Sequence, residues 1–376
     1  MFNLKNINYL KLIYLFLFIL SLFEIYNVAA STNNNTWFLV LLFKTNIIYL
    51  LYSVIFIVGY ILLFTKMGQK VSNNPKFSIL LLVLLIILSV TLNYLGNIPS
   101  IDQNIDYDDA LEIWINHLFS FQYPYDALTQ LGQRITPFPS LPLYSIPFYL
   151  LGNVAYQDFI NLFIILFVIW KFSDNILQRN FGLISLSIST PFLICLLSHS
   201  YHITLASFTA LGLYLLFKNR FIWGSVIFGL LTASVGYIWF TIPTVIYYIF
   251  KKGTSQNFKK SLFIIILIPL IIVLPFIIWN PDIFFHFAPL AAVSGRLSAF
   301  KYFDVIVALA LAIISLISYK KTNNLFFSVF IGYLIFELIL PLRSMFLLAL
   351  SAILLGVYMD KLKIDTNKIS DQSQSD

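Results

Sequence analysis

The chain has 376 residues, of which 60% are hydrophobic and only 10% charged. Soluble domains carry about 25% charged residues, so a water-facing surface cannot be built from this composition. The net charge of +7 resides in short basic turns rather than one patch, which excludes nucleic acid as the expected partner, and a single cysteine, Cys195, excludes an internal disulfide or a cysteine metal cage.

The apolar residues form long blocks, such as Ile79–Leu92 and Leu262–Trp279. A helix needs roughly 20 such residues to cross a ~30 Å hydrocarbon slab. The short alternating segments of an outer-membrane barrel are absent from the sequence. Run lengths predict an all-α polytopic bundle of about twelve spans, near 10–30, 46–65, 77–96, 157–171, 181–197, 203–217, 221–235, 237–250, 261–279, 303–318, 325–341 and 344–358. The stretch 221–250 also reads as one kinked element. Lys5, Lys11, the apolar run after them and Val28-Ala29-Ala30 match a cleavable signal peptide as well as a first span. Residues 1–360 form one transmembrane domain in this reading, and 361–376 a polar, disordered cytoplasmic tail.

Basic residues stay on the cytoplasmic side of a membrane. Alternating the loops puts Lys66, Lys70, Lys76, Lys171, Arg179, Lys218, Arg220, Lys251, Lys252, Lys259, Lys260, Lys320 and Lys321 on that side with both termini. That side then holds 18 of the 23 basic residues; Lys44, Arg134, Arg296, Lys301 and Arg343 fall outside. The expected location is therefore the cell membrane, with both termini cytoplasmic. Glu24 and Glu337 lie inside spans, close enough to the external end to reach water.

The long hydrophilic segment between spans, 97–156, is then external. It carries Asp102, Asp106, Asp108, Asp109, Glu112 and Asp126 against one base, Arg134. Translocated loops are poor in lysine, but this does not explain the cluster Asp106-Tyr107-Asp108-Asp109. Leu111, Trp114, Ile115 and Leu118 lie on one face of a short amphipathic helix over 110–121, suited to the membrane interface, and 143–151 reads as a second. Prolines 124, 137, 139, 142 and 147 break the text between and after them. Connections are usually short, so a loop this long implies a role of its own.

Asn104-Ile105-Asp106-Tyr107, then Tyr123-Pro124-Tyr125, then Ile135-Thr136-Pro137 resemble the first external loop of GT-C glycosyltransferases. The likeness is to the polyprenyl-phosphate-sugar-dependent mannosyltransferase branch, whose loop reads Asp-x-Asp-Tyr, Ser-Pro-Tyr and Tyr-Thr-Pro. It covers about fifty residues. The first acidic position of that motif is Asn104 here, and three spans precede the loop instead of one.

The resemblance implies a membrane hexosyltransferase of the cell envelope, using a lipid-linked sugar donor at the outer leaflet among membrane lipids, with an unassigned acceptor. An inverting transfer needs a carboxylate base, which the resemblance puts at Asp106, with Asp108 and Asp109 as alternatives that also read as ordinary solvated loop acids. Arg134, Arg296 and Arg343 are the candidates for the donor phosphate, since a guanidinium binds phosphate in bidentate fashion; Arg343 at a span end also suits snorkelling to head groups. His199 and His202 in one tight turn, and Tyr125, are further candidates. No cofactor is expected, although the aspartates could hold a divalent ion. A lipid or polysaccharide transporter or flippase, an envelope-polymer polymerase, and a non-catalytic membrane scaffold are the competing readings. In a Cys195→Ser background, Gln103→Cys and Ser255→Cys are expected to react with an impermeant maleimide from opposite sides of sealed vesicles; labelling of both from one side would refute the topology.

Overall fold

Away from water a backbone has to satisfy its own polar groups, and a helix does so within one segment. The computed structural model describes residues 4–31, 46–97, 107–286, 303–339 and 345–358. Among these the chain is all helical, with no strand and one isolated bridge, Leu128 to Arg134. In chain order the helices are α1 (Leu4–Ser31), α2 (Asn46–Phe64), α3 (Lys66–Ser72) and α4 (Pro75–Gly96), then α5 (Tyr107–Phe119) and α6 (Ser140–Leu150). They continue as α7 (Gln157–Phe172), α8 (Ile176–Ser187), α9 (Thr190–Leu197), α10 (His202–Phe217), α11 (Phe221–Thr232), α12 (Ile242–Lys252) and α13 (Ser255–Trp279). The last are α14 (Pro281–His286), α15 (Phe303–Thr322), α16 (Leu325–Ile339) and α17 (Met345–Tyr358).

Among the described residues three helices are long and apolar enough to cross a bilayer: α4, α7 with its preceding turn (Val154–Phe172), and α13. Two bent pairs, α2 with α3 at 84° and α8 with α9 at 55°, raise the number to five. The outer surface supports this use. Only 22% of the most apolar stretch of α4 and 17% of that of α13 is buried within the protein, so Ile79, Leu80, Val83, Leu84, Phe263, Ile266 and Leu270 face outward. A contiguous apolar surface of that extent needs a hydrocarbon surround.

Each apolar segment read from the sequence is helical, 181–197 differs in detail, and the alternatives for 221–250 are decided. The 181–197 segment bends where Ser189 and Pro191 interrupt it, because proline supplies no amide hydrogen to the ladder. The 221–250 stretch is not one kinked element: α11 and α12 form a hairpin, with Phe221 at the start of one packed on Tyr248 near the end of the other (ring centroids 6.5 Å apart). A 3-10 turn over Gly236–Thr241 joins them.

The basic turns gather at one end. Asn180 accepts a hydrogen bond from Ser78 (2.6 Å) and donates to the Ser72 carbonyl. The rings of Phe172, Phe217 and Phe326 join three further turns. Lys251 donates to Asn323 (3.2 Å) and lies over the Tyr319 ring, Lys320 over Tyr247, Lys218 over Tyr214, and Arg179 over Trp170 at 3.9 Å. Cations over aromatic rings at the ends of apolar helices form the arrangement expected at a membrane interface. The 107–156 segment occupies the opposite, loop end.

At the centre stands α17. Every residue from Phe346 to Val357 is buried, among α1, α7, α8, α9, α10 and α16. Small residues allow the approach: a side chain added at Gly356 would strike Phe181, and one at Gly182 would strike Ile169. Leu354→Ala at this centre is expected to cost about 2–5 kcal/mol through lost packing, visible as a lower melting temperature in detergent. Leu80→Ala on the outward face of α4 should leave the melting temperature near wild type; equal losses would contradict the assigned faces.

Candidate active site

The loop is anchored by its aromatic residues. Ala110, Leu111, Trp114 and Ile115 form the buried face of α5, as their spacing requires. That face packs on protein rather than lying in a lipid interface: α5 rests on α6, and Trp114 meets Phe276 of α13 at 5.2 Å between ring centroids. The second helix begins three residues earlier than its apolar pattern indicated, at Ser140.

Tyr123 donates to the carbonyls of Phe276 (3.0 Å) and Asn280 (3.2 Å), and Tyr125 donates to the Pro137 carbonyl (2.9 Å). Burial holds both phenols above their ordinary range, so they act as fixed donors. Phe138 stacks on Trp239 with an interplanar angle of 4°, and its amide bonds the Ser234 carbonyl at 2.8 Å; the Ser140 amide bonds Ala233 at 3.1 Å. The proline-rich segment thus re-enters the bundle where α11 stops short. Tyr125 serves as an anchor of this segment.

Asp108 and Asp109 occupy the first turn of α5, where the helix dipole favours negative charge, and both are half-buried. Asp109 accepts a hydrogen bond from the Gln130 side chain. Gln130 belongs to a tight hairpin closed by the Thr129 amide on the Gln133 carbonyl (2.8 Å), with Gly132 at φ +69° and Arg134 on its far strand. Arg134 is exposed, and the hairpin ties it to the aspartate turn. On the other side the Tyr107 ring meets Tyr201 and His202 edge-on, at 5.6 and 5.8 Å. His202 Nδ1 lies 2.6 Å from Ser200 Oγ. Asp106, Arg296 and Arg343 lie outside the described residues.

His199 and His202 do not act as a pair. His199 turns into the bundle, 2% exposed, where its Nδ1 lies 3.3 Å from Asp158 Oδ2. Asn93 donates to the Ala155 carbonyl (3.2 Å) and to Asp158 (3.4 Å), and its amide nitrogen is 3.3 Å from His199 Nδ1. Asp158 and Asn93 are 1% and 4% exposed. Deeper in the bundle, Asn161 donates to Thr204 (2.7 Å) and accepts from Ser207 (2.9 Å) and Tyr144 (3.1 Å). The sequence reading did not single out Asp158, which falls inside the predicted span 157–171. The available signal was an acid one residue inside an apolar helix, since such groups are costly unless they find partners. Among the described residues no cluster of three or more His, Cys, Asp or Glu side chains is placed to hold a metal ion.

No family model, no characterised protein and no solved structure matches the chain. Tyr125→Phe is expected to leave the buried Pro137 carbonyl without its donor, at a cost of about 1–3 kcal/mol. Limited trypsin cleavage after Arg134 should accelerate accordingly; an unchanged rate would mean that the phenol does not anchor the loop.

Proposed function

We propose that this protein is a membrane glycosyltransferase of the GT-C type that moves a sugar from a polyprenyl-phosphate donor to an acceptor on the extracytoplasmic face. The observation that carries this reading is the joining of the aspartate turn of α5 to the arginine hairpin through Asp109 and Gln130, at the end of the bundle opposite the lysine turns. A carboxylate cluster and an arginine-bearing hairpin tied together at one end of the apolar helices suit transfer from a lipid phosphate. The buried aromatic anchoring of the loop supports it too, because transfer chemistry needs groups held in a fixed geometry.

In this reading the chain crosses the membrane about twelve times with both termini cytoplasmic, and the loop is external. Asp106 takes the proton of the acceptor hydroxyl as that oxygen bonds to the anomeric carbon; the sugar–phosphate bond breaks, and the lipid phosphate leaves with its charge held by Arg134 and Arg296. Asp108 and Asp109 shape the turn, and Arg343 is a further candidate for the donor phosphate.

The test is sugar transfer by purified protein in nanodiscs from a short-chain prenyl-phosphate mannose. Asp106→Asn should lower turnover by roughly 10²–10⁴-fold with donor affinity largely kept, the scale of a general base. Arg134→Ala and Arg296→Ala should instead weaken donor binding. Full activity in Asp106→Asn with loss in Asp108→Asn or Asp109→Asn would move the base to that residue. Indifference to all three changes would exclude a carboxylate base here and favour a transporter or scaffold.

A further inference from the structure

We infer that Asp158 and His199, buried beneath the loop, are positioning residues for the aspartate turn; the inference rests on the transferase reading for its functional consequence. His199 adopts φ +46°, a left-handed conformation that is uncommon outside glycine and persists where surrounding contacts favour it. Contacts on both edges of the ring hold it there. Asp158 Oδ2 and Asn93 Nδ2 each lie 3.3 Å from His199 Nδ1. On the other edge of the ring stands Gly96, at the end of α4. A side chain there would come within 2.6 Å of His199 Nε2 and 2.3 Å of the Leu197 carbonyl, so glycine alone leaves room for this turn. The ring is thereby held between α4 and α7.

The fixed residue sits in the tight connection between α9 and α10. The Ser200 amide bonds the Cys195 carbonyl at 2.9 Å, so a rotation at His199 is passed directly to Tyr201 and His202. Those two side chains are the ones packed on Tyr107 at the first turn of α5, next to Asp108 and Asp109. A buried carboxylate–imidazole contact, a left-handed turn, two aromatic faces and the aspartates therefore form one connected series. Loss of the contact should let the α9–α10 turn relax toward ordinary backbone angles and withdraw the support under Tyr107.

The test uses the full chain in nanodiscs and two readouts, hydrogen exchange and transfer from the prenyl-phosphate mannose probe. His199→Gly keeps the left-handed turn free of strain but removes the ring. It should speed amide exchange about tenfold or more at Leu205–Thr209 and at Leu111–Trp114, while Leu350–Val357 keeps its protection. Asp158→Ala should do the same, and the double variant should be no worse than either single one, because the two act as a unit. His199→Asn, which tolerates the left-handed region and still offers an N–H to Asp158, should restore protection at both sites. Unchanged exchange at Leu111–Trp114 in His199→Gly and Asp158→Ala would overturn the inference. So would loss of protection throughout the bundle, which would make the pair a general support of the fold, or failure of His199→Asn to restore what His199→Gly loses. In the transfer assay, His199→Gly should lower kcat with KM little changed; an unchanged kcat in an active protein would also overturn the inference. If exchange behaves as expected but the wild type moves no mannose, the coupling between the pair and the aspartate turn stands and the glycosyltransferase reading falls.

Discussion

A helix enclosed on every side by other helices has to be apolar throughout and small wherever a neighbour comes close. The segment Met345–Tyr358 carries no charged side chain and meets both demands. With hydrocarbon outside, no hydrophobic gain separates its burial from exposure to lipid, so close packing has to hold the bundle together. Its neighbours are consequently placed by shape: Phe181 against Gly356, Ile169 against Gly182, and Phe346 against Phe192 at 5.3 Å. From this centre α4 and α13 are pushed to the periphery, where their outward apolar faces are left for the bilayer.

The same enclosure explains where polarity survives. Asn93, Asp158 and His199 are buried together near the loop end, and Asn161, Thr204 and Ser207 bond to one another deeper along the same helices. A polar group in such surroundings is tolerated only with partners. These side chains link α4, α7 and the α9–α10 turn in one register. That register brings Tyr201 and His202 up to the beginning of α5.

Hydropathy and periodicity revealed much of this. The apolar blocks were legible as helices because a spanning segment must be apolar along its length. The stripe Leu111, Trp114 and Ile115 was legible as a buried face. What covers that face was not: a period of 3.6 says that one side is hidden, whether by lipid or by Phe276. The break between α11 and α12 was legible as a gap between two apolar runs, but not what fills it. Hydropathy measures apolar length, whereas the break is satisfied by Phe138 and Ser140, nearly a hundred positions away along the chain. His199 and His202 looked alike because three positions in a turn appear adjacent; the positive φ at His199 sends the two rings to different places. Asp158 was visible only as one acid at the head of an apolar run. The loop acids were legible as a cluster, and their tie to Arg134 depends on a glutamine with no pattern to mark it.

The seating of the loop has a consequence for biosynthesis. Its floor is made of Trp239, Phe276, Trp279 and Phe284, all of which leave the ribosome after the loop itself. At ordinary elongation rates the interval between Phe138 and Phe284 is roughly 10–30 s. Throughout that time the nascent loop lacks the part of its floor that Phe276, Trp279 and Phe284 supply. A chain ending before Phe276 would therefore lack the ring contacts of Trp114, Tyr123 and Phe138 with this part of the floor, even with its earlier helices formed.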